Sequence, residues 1–136
     1  MKISASVRNS NDSHNVVVST NDNQTRLEIK PKANGRGSSV NGGELLFLAL
    51  ATCYCNDVFR EADSMGIVVR DLEVEVNGEF GGRGDPAKDV SFDVKIRADE
   101  SEGKIKELLH LTDTVAEIQN TMRRAVPVKL RHTEIL

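Results

Sequence analysis

Two thiols one residue apart, Cys53 and Cys55, are the obvious nucleophiles of this 136-residue chain. They follow the apolar run Leu45–Ala51 and precede Asn56 and Asp57. A thiol reacts as its thiolate, so its neighbours decide what it can do. On a helix each residue turns by roughly 100°, which sets the two cysteines roughly 200° apart. They cannot close a disulfide on each other while that helix is intact. The pair is therefore a poor redox couple and a poor chelate. Cys53 shares its face with Asn56, Asp57 and Arg60, at i+3, i+4 and i+7. Arg60 would stabilise a thiolate and Asp57 would oppose it, and the sequence leaves that balance open. Free cysteine is also among the most buried residue types. On residue type alone both sulfurs read as small buried hydrophobes, Cys55 above all.

The other ionisable residues carry weaker signals. Glu44 is able to orient an arginine in an active site, but it stands three residues after Asn41, where a capping box places its carboxylate. Asp57 and Arg60 equally suit a pairing with each other, or with Glu61 and Asp63. His14, His110 and His132 lack ligand spacing and read as surface or strand residues. No metal or cofactor is expected. Gly35-Arg36-Gly37 lacks the Lys-Ser/Thr that completes a phosphate loop. Gly81-Gly82-Arg83-Gly84 reads as a hairpin turn.

These residues must be held by a small soluble fold. The length fits one domain, 1–136. A net charge of −3 with scattered cations gives no basic face for nucleic acid. The absence of Trp and 4% aromatic content argue against base stacking. Two cysteines do not make a secreted disulfide framework. The first residues lack the apolar core of a signal peptide. The run Leu45–Ala51 is too short to span a bilayer. A cytoplasmic location, away from membranes, is expected.

Alternation and β-branched content predict strands over 2–7, 14–20 and 25–30, with polar turn residues over 9–13 and a Gly/Ser/Asn-rich loop over 31–41. A helix is predicted over 42–65, roughly 36 Å long, closed by Gly66. Strands follow over 67–80 and 87–98, joined by 81–86. Two helices occupy 101–111 and 113–124, and a last strand 128–135 follows Pro127. The pattern is α+β. The first half of the long helix is apolar all round, which predicts burial on every side. A six-stranded sheet covers one side only, so a second copy of the chain is expected on the other, in a homodimer.

The run Gly43-Glu44-Leu45-Leu46-Phe47-Leu48-Ala49-Leu50-Ala51-Thr52-Cys53 resembles the central helix of the OsmC/Ohr family. Asn120-Thr121-Met122 and Ala125-Val126-Pro127-Val128 resemble that family's C-terminal segment, and the order of elements agrees over nearly the whole chain. The resemblance implies antiparallel sheets packed on a long buried central helix, in an intertwined homodimer with its active sites at the subunit interface. In that family a first Cys attacks an organic hydroperoxide and becomes a sulfenic acid. A second Cys condenses with it, and a thiol reductant resets the pair. An Arg and a Glu hold thiolate and peroxide. Cys53 matches the attacking Cys, whereas Ala116 stands where the second Cys belongs. In the hydroperoxide-resistance branch the Glu falls at Gly43 rather than Glu44. Arg8 and Arg36 are candidates for the Arg by location. One expectation is a one-Cys hydroperoxide reductase that uses Cys53 and an external thiol, with Glu44, Asn56, Asp57 and Arg60 around the pocket. The other is a non-enzymatic dimer of the same fold whose interface cleft binds an apolar small molecule or a partner.

Overall fold

The computed structural model describes residues 1–10 and 13–136, which form two compact units, Met1–Leu45 and Leu46–Leu136. The first unit is an antiparallel meander of β1 (Ile3–Ser10), β2 (Ser13–Thr20) and β3 (Asn23–Leu27), in that spatial order. Pairing of Ile3 with Thr20, Val7 with Val16 and Val16 with Leu27 puts Ile3, Ala5, Val7, Val16, Val18 and Leu27 on one face. The turn into β3 holds Asn21 at φ 52°, a conformation Asn tolerates, and Lys2 N–H donates to its Oδ1 at 3.0 Å. Beyond β3 the chain loops through a bridge between Pro31 and Ser38. It then reaches Asn41, whose Oδ1 accepts from Glu44 N–H at 2.9 Å while Glu44 Oε2 accepts from Asn41 N–H at 2.7 Å. This is the reciprocal capping box the spacing predicted.

That box opens α1 (Gly42–Met65), whose end is as well specified as its start. Gly66 at φ 67° donates to Asp63 C=O, and Ile67 N–H reaches back to Ala62 C=O. The pair forms a Schellman cap that only an αL residue permits. In the second unit, β4 (Val69–Phe80) and β5 (Ala87–Ala98) form a two-stranded hairpin. Its inward residues, Leu72, Val74, Phe92, Val94 and Ile96, pack against Tyr54, Val58, Ala62, Ile67, Leu108 and Ala116. Gly78 lets the hairpin lie close to α1, because a Cβ there would fall 2.7 Å from the Phe47 ring. The chain closes with α2 (Glu102–Val115), capped by Ser101, and α3 (Glu117–Arg123). Ala116 separates them in an extended conformation (φ −67°, ψ 106°) and is fully buried.

Several expectations need correcting. Among the described residues the strands number five, in sheets of three and two, not six in one sheet. Residues 128–135 form no strand: Val128, Leu130 and Ile135 stand exposed, and alternation makes a strand only where a neighbouring edge offers a ladder. The expected turn over 9–13 includes residues 11 and 12, which lie outside the described residues, while Asn9, Ser10 and Ser13 belong to strands. The expected burial of α1 on every side included a second copy; within the second unit its burial follows one stripe, Leu50, Tyr54, Asp57, Val58 and Ala62. Among the described residues no helix is long and apolar enough to cross a membrane.

Candidate functional site

Cys53 sits beside the buried stripe of α1, half-buried, and packs at the margin of the core. One helical turn on, Asp57 is buried, and the thiol donates to its Oδ2 at 3.5 Å. The second wall comes from α3. Gln119 Nε2 donates to Leu50 C=O at 2.9 Å, which ties α3 to α1. Tyr54 OH donates to Leu109 C=O at 2.7 Å and ties α2 to the same helix. These tethers bring Glu117, at the start of α3, to the sulfur, with Oε2 at 3.9 Å. The backbone N–H of Ile118 also points at the sulfur.

No hydrogen bond joins Arg60 to the thiol among the described residues. Its guanidinium is shared among Asp57 at 2.8 Å, Glu61 at 2.9 Å and Glu117 at 3.7 Å. The balance left open by the sequence therefore tips toward the carboxylates. Burial pushes the Cys53 thiol above its ordinary value of 9.0, Asp57 and Glu117 push it the same way, and the Ile118 hydrogen bond only partly opposes them. Burial, then the charge of Glu117, raises the Asp57 carboxyl in turn, with Arg60 pulling it back. At rest the group is a protonated thiol hydrogen-bonded to a carboxylate of raised proton affinity. Sγ and one oxygen each from Asp57 and Glu117 lie within 4.8 Å of one another, a spacing that suits a metal. Arg60 already supplies the cation there, bound to both carboxylates.

Of the residues singled out in the sequence, the structure gathers Cys53, Asp57 and Arg60. Asn56 is exposed, and no hydrogen bond joins it to the thiol among the described residues. Cys55 is half-buried on another side of α1. The Glu44 carboxylate is spent on the helix cap. Arg8, in β1, and Arg36, in the loop before α1, both belong to the first unit. His14 is half-buried, while His110 and His132 are exposed. Residues 81–86 do form the hairpin turn, with Gly82 N–H donating to Asp85 Oδ2 at 2.8 Å. Glu117 was not anticipated. Its one signal was its place beside Ala116, in the segment that should carry the second thiol.

The family model described as OsmC-like protein matches residues 35–131. No curated protein matches the chain. Among solved structures, an OsmC-like protein from Mycoplasma pneumoniae superposes with a TM-score of 0.68 at 20% identity, over 90% of this chain and 88% of that one. An OsmC-like hydroperoxide resistance protein from Jannaschia sp. CCS1 gives 0.55 at 13% identity, over 98% and 92%. An organic hydroperoxide resistance protein from Elizabethkingia anophelis gives 0.53 at 15% identity, over 90% and 89%. At these identities the likeness is one of fold.

Proposed function

The chain belongs to the OsmC-like family, and from that premise we propose that it is a thiol protein that reduces organic hydroperoxides through Cys53 and takes its resolving thiol from solution. The observation that carries this reading is the 3.5 Å contact between the half-buried Cys53 sulfur and the Asp57 carboxylate. A protonated thiol is a weak nucleophile, and a neighbouring base of raised proton affinity activates it on demand. Asp57 accepts the thiol proton as the sulfur attacks the outer oxygen of the hydroperoxide. The O–O bond breaks, and the proton returns through Asp57 or Glu117 to the departing alkoxide. The sum is Cys53–SH + ROOH → Cys53–SOH + ROH, the first rung of the cysteine oxidation ladder. Ala116 offers no second sulfur, so an outside thiol completes the cycle.

The reading includes a homodimer in the cytoplasm. Exposed apolar residues on α1, Leu48 and Phe59, and separately Ile3 and Val7 on the first sheet, are faces that a second copy would cover. Two free cysteines suit a reducing compartment.

A second reading is favoured by the raised thiol and by Ala116: a non-enzymatic dimer of this fold that binds a small molecule or a partner at its interface. One experiment separates them. The protein is treated with one equivalent of tert-butyl hydroperoxide and dimedone, and its intact mass is measured. A dimedone adduct on the native chain, absent from Cys53→Ser, is the expected result. An unmodified Cys53 that also resists maleimide establishes the second reading.

A further inference from the structure

Resting on the one-Cys reading above, we propose that Cys53 selects its resolving thiol by charge: Glu117 makes the site one for a cationic aminothiol and disfavours anionic thiols. The argument begins with Arg60. A lone exposed guanidinium beside a sulfur would welcome carboxylate-bearing thiols. Here the guanidinium is already engaged by Asp57, Glu61 and Glu117, at 2.8, 2.9 and 3.7 Å. One cation facing three carboxylates leaves the neighbourhood of the sulfur net negative. The negative charge is also placed where an incoming molecule meets it. The Asp57 side chain is 7% exposed, whereas that of Glu117 is 67% exposed with its Oε2 3.9 Å from Sγ. Of the two carboxylates in contact with the sulfur, that of Glu117 is therefore the one an incoming molecule meets.

Both resolving steps bring a thiolate to that place. In the first, Cys53–SOH + RSH → Cys53–S–S–R + H2O: the S–S bond forms, the S–O bond breaks, and the hydroxyl leaves as water with the thiol's proton. In the second, Cys53–S–S–R + RSH → Cys53–SH + RSSR, and the two electrons come from the aminothiol. An ammonium two carbons from the reacting sulfur offsets the charge of its own thiolate and pairs with Glu117. A carboxylate in the same place adds repulsion. A unit charge about 6 Å from an exposed carboxylate changes an encounter roughly two- to threefold at moderate salt. Cationic and anionic reagents should thus differ by about tenfold.

The test uses the full-length reduced protein with Cys55→Ser, so that Cys53 is the only thiol. Rates of mixed-disulfide formation are measured by mass spectrometry with cystamine, 2-hydroxyethyl disulfide and dithiodiglycolate, at low and high salt. The expected order is cationic, neutral, anionic, spanning about tenfold at low salt and narrowing at high salt. Glu117→Gln should speed the anionic reagent most, because it removes the charge that repels the reagent and opposes the thiolate, and should bring the cationic-to-anionic ratio from about tenfold toward unity. Equal rates, the reverse order, a ratio untouched by Glu117→Gln, or no reaction with any reagent overturns the proposal. Disulfide exchange is read without peroxide. A flat charge order beside normal sulfenic acid formation sinks this inference alone. A clear charge order beside a Cys53 that hydroperoxide leaves unmodified keeps it and sinks the hydroperoxide reading.

Discussion

Replacing Gln119 by Leu should stabilise the protein, although it deletes a buried hydrogen bond. Gln119 is 3% exposed, and its Nε2 donates to Leu50 C=O at 2.9 Å. Its Oε1 is buried without a partner among the described residues. Leu50 lies inside α1, where its carbonyl also belongs to the helix ladder, so losing the amide leaves no acceptor stranded. The lost hydrogen bond is worth about 1 kcal/mol, while an orphaned buried acceptor costs roughly 1–3 kcal/mol. Leucine exceeds glutamine by about one methylene in volume, which the adjoining pocket gives room to place. It would line an open pocket of about 350 Å³ together with Leu50, Val76, Phe92 and Met122 and the charged Lys88 and Arg123. The net expectation is a gain of about 1 kcal/mol. With about 2.1 cal/mol/K of unfolding entropy per residue, that gain raises Tm by about 3–4 °C for a chain of 136 residues. Thermal unfolding followed by far-UV circular dichroism measures it. A loss of about 1 kcal/mol or more would refute the reasoning, because it would mean that Oε1 has a partner in solution, such as a bound molecule or a second copy.

Val58 is fully buried at the centre of the core, so Val58→Ala should cost about 2 kcal/mol, read from the midpoint of urea unfolding. Asn41→Ala removes the cap of α1 and should cost about 1 kcal/mol by the same measurement. The raised Cys53 thiol predicts iodoacetamide alkylation whose rate is still climbing at pH 9.0 and levels off only above it, and Asp57→Asn should move that plateau to lower pH. The sign for stability follows from the same shift. The folded state keeps the thiol proton longer than the unfolded chain, so this contribution is complete below pH 9.0 and is lost as pH rises through the folded value. Unfolding midpoints of Cys53→Ser should lack that alkaline decline.

Much of the fold is written in local chemistry. Asn41 and Glu44 announce the start of α1, and Gly66 announces its end, because each supplies a backbone partner or a φ that few other residues supply. The alternation of Val74 and Val76 against Phe92 and Val94 marks the long hairpin. The same signal misleads over 128–135, since it records which face is apolar and says nothing of whether an edge lies alongside. The break at Ala116 is invisible because alanine favours helix, and only tertiary packing opens it. The site was half legible. Helical spacing grouped Cys53, Asp57 and Arg60, but Glu117, which completes the cluster, lies 64 residues further along the chain than Cys53.

That break has a consequence for how variants will behave. Within three residues, α3 presents Glu117 to the sulfur and Gln119 to the carbonyl of Leu50, so the short helix acts as a yoke between the reactive group and the backbone of α1. Its angle is set at Ala116, which is extended and fully buried. Bulkier residues there will register as altered thiol chemistry in a protein whose sulfur, base and guanidinium are all intact.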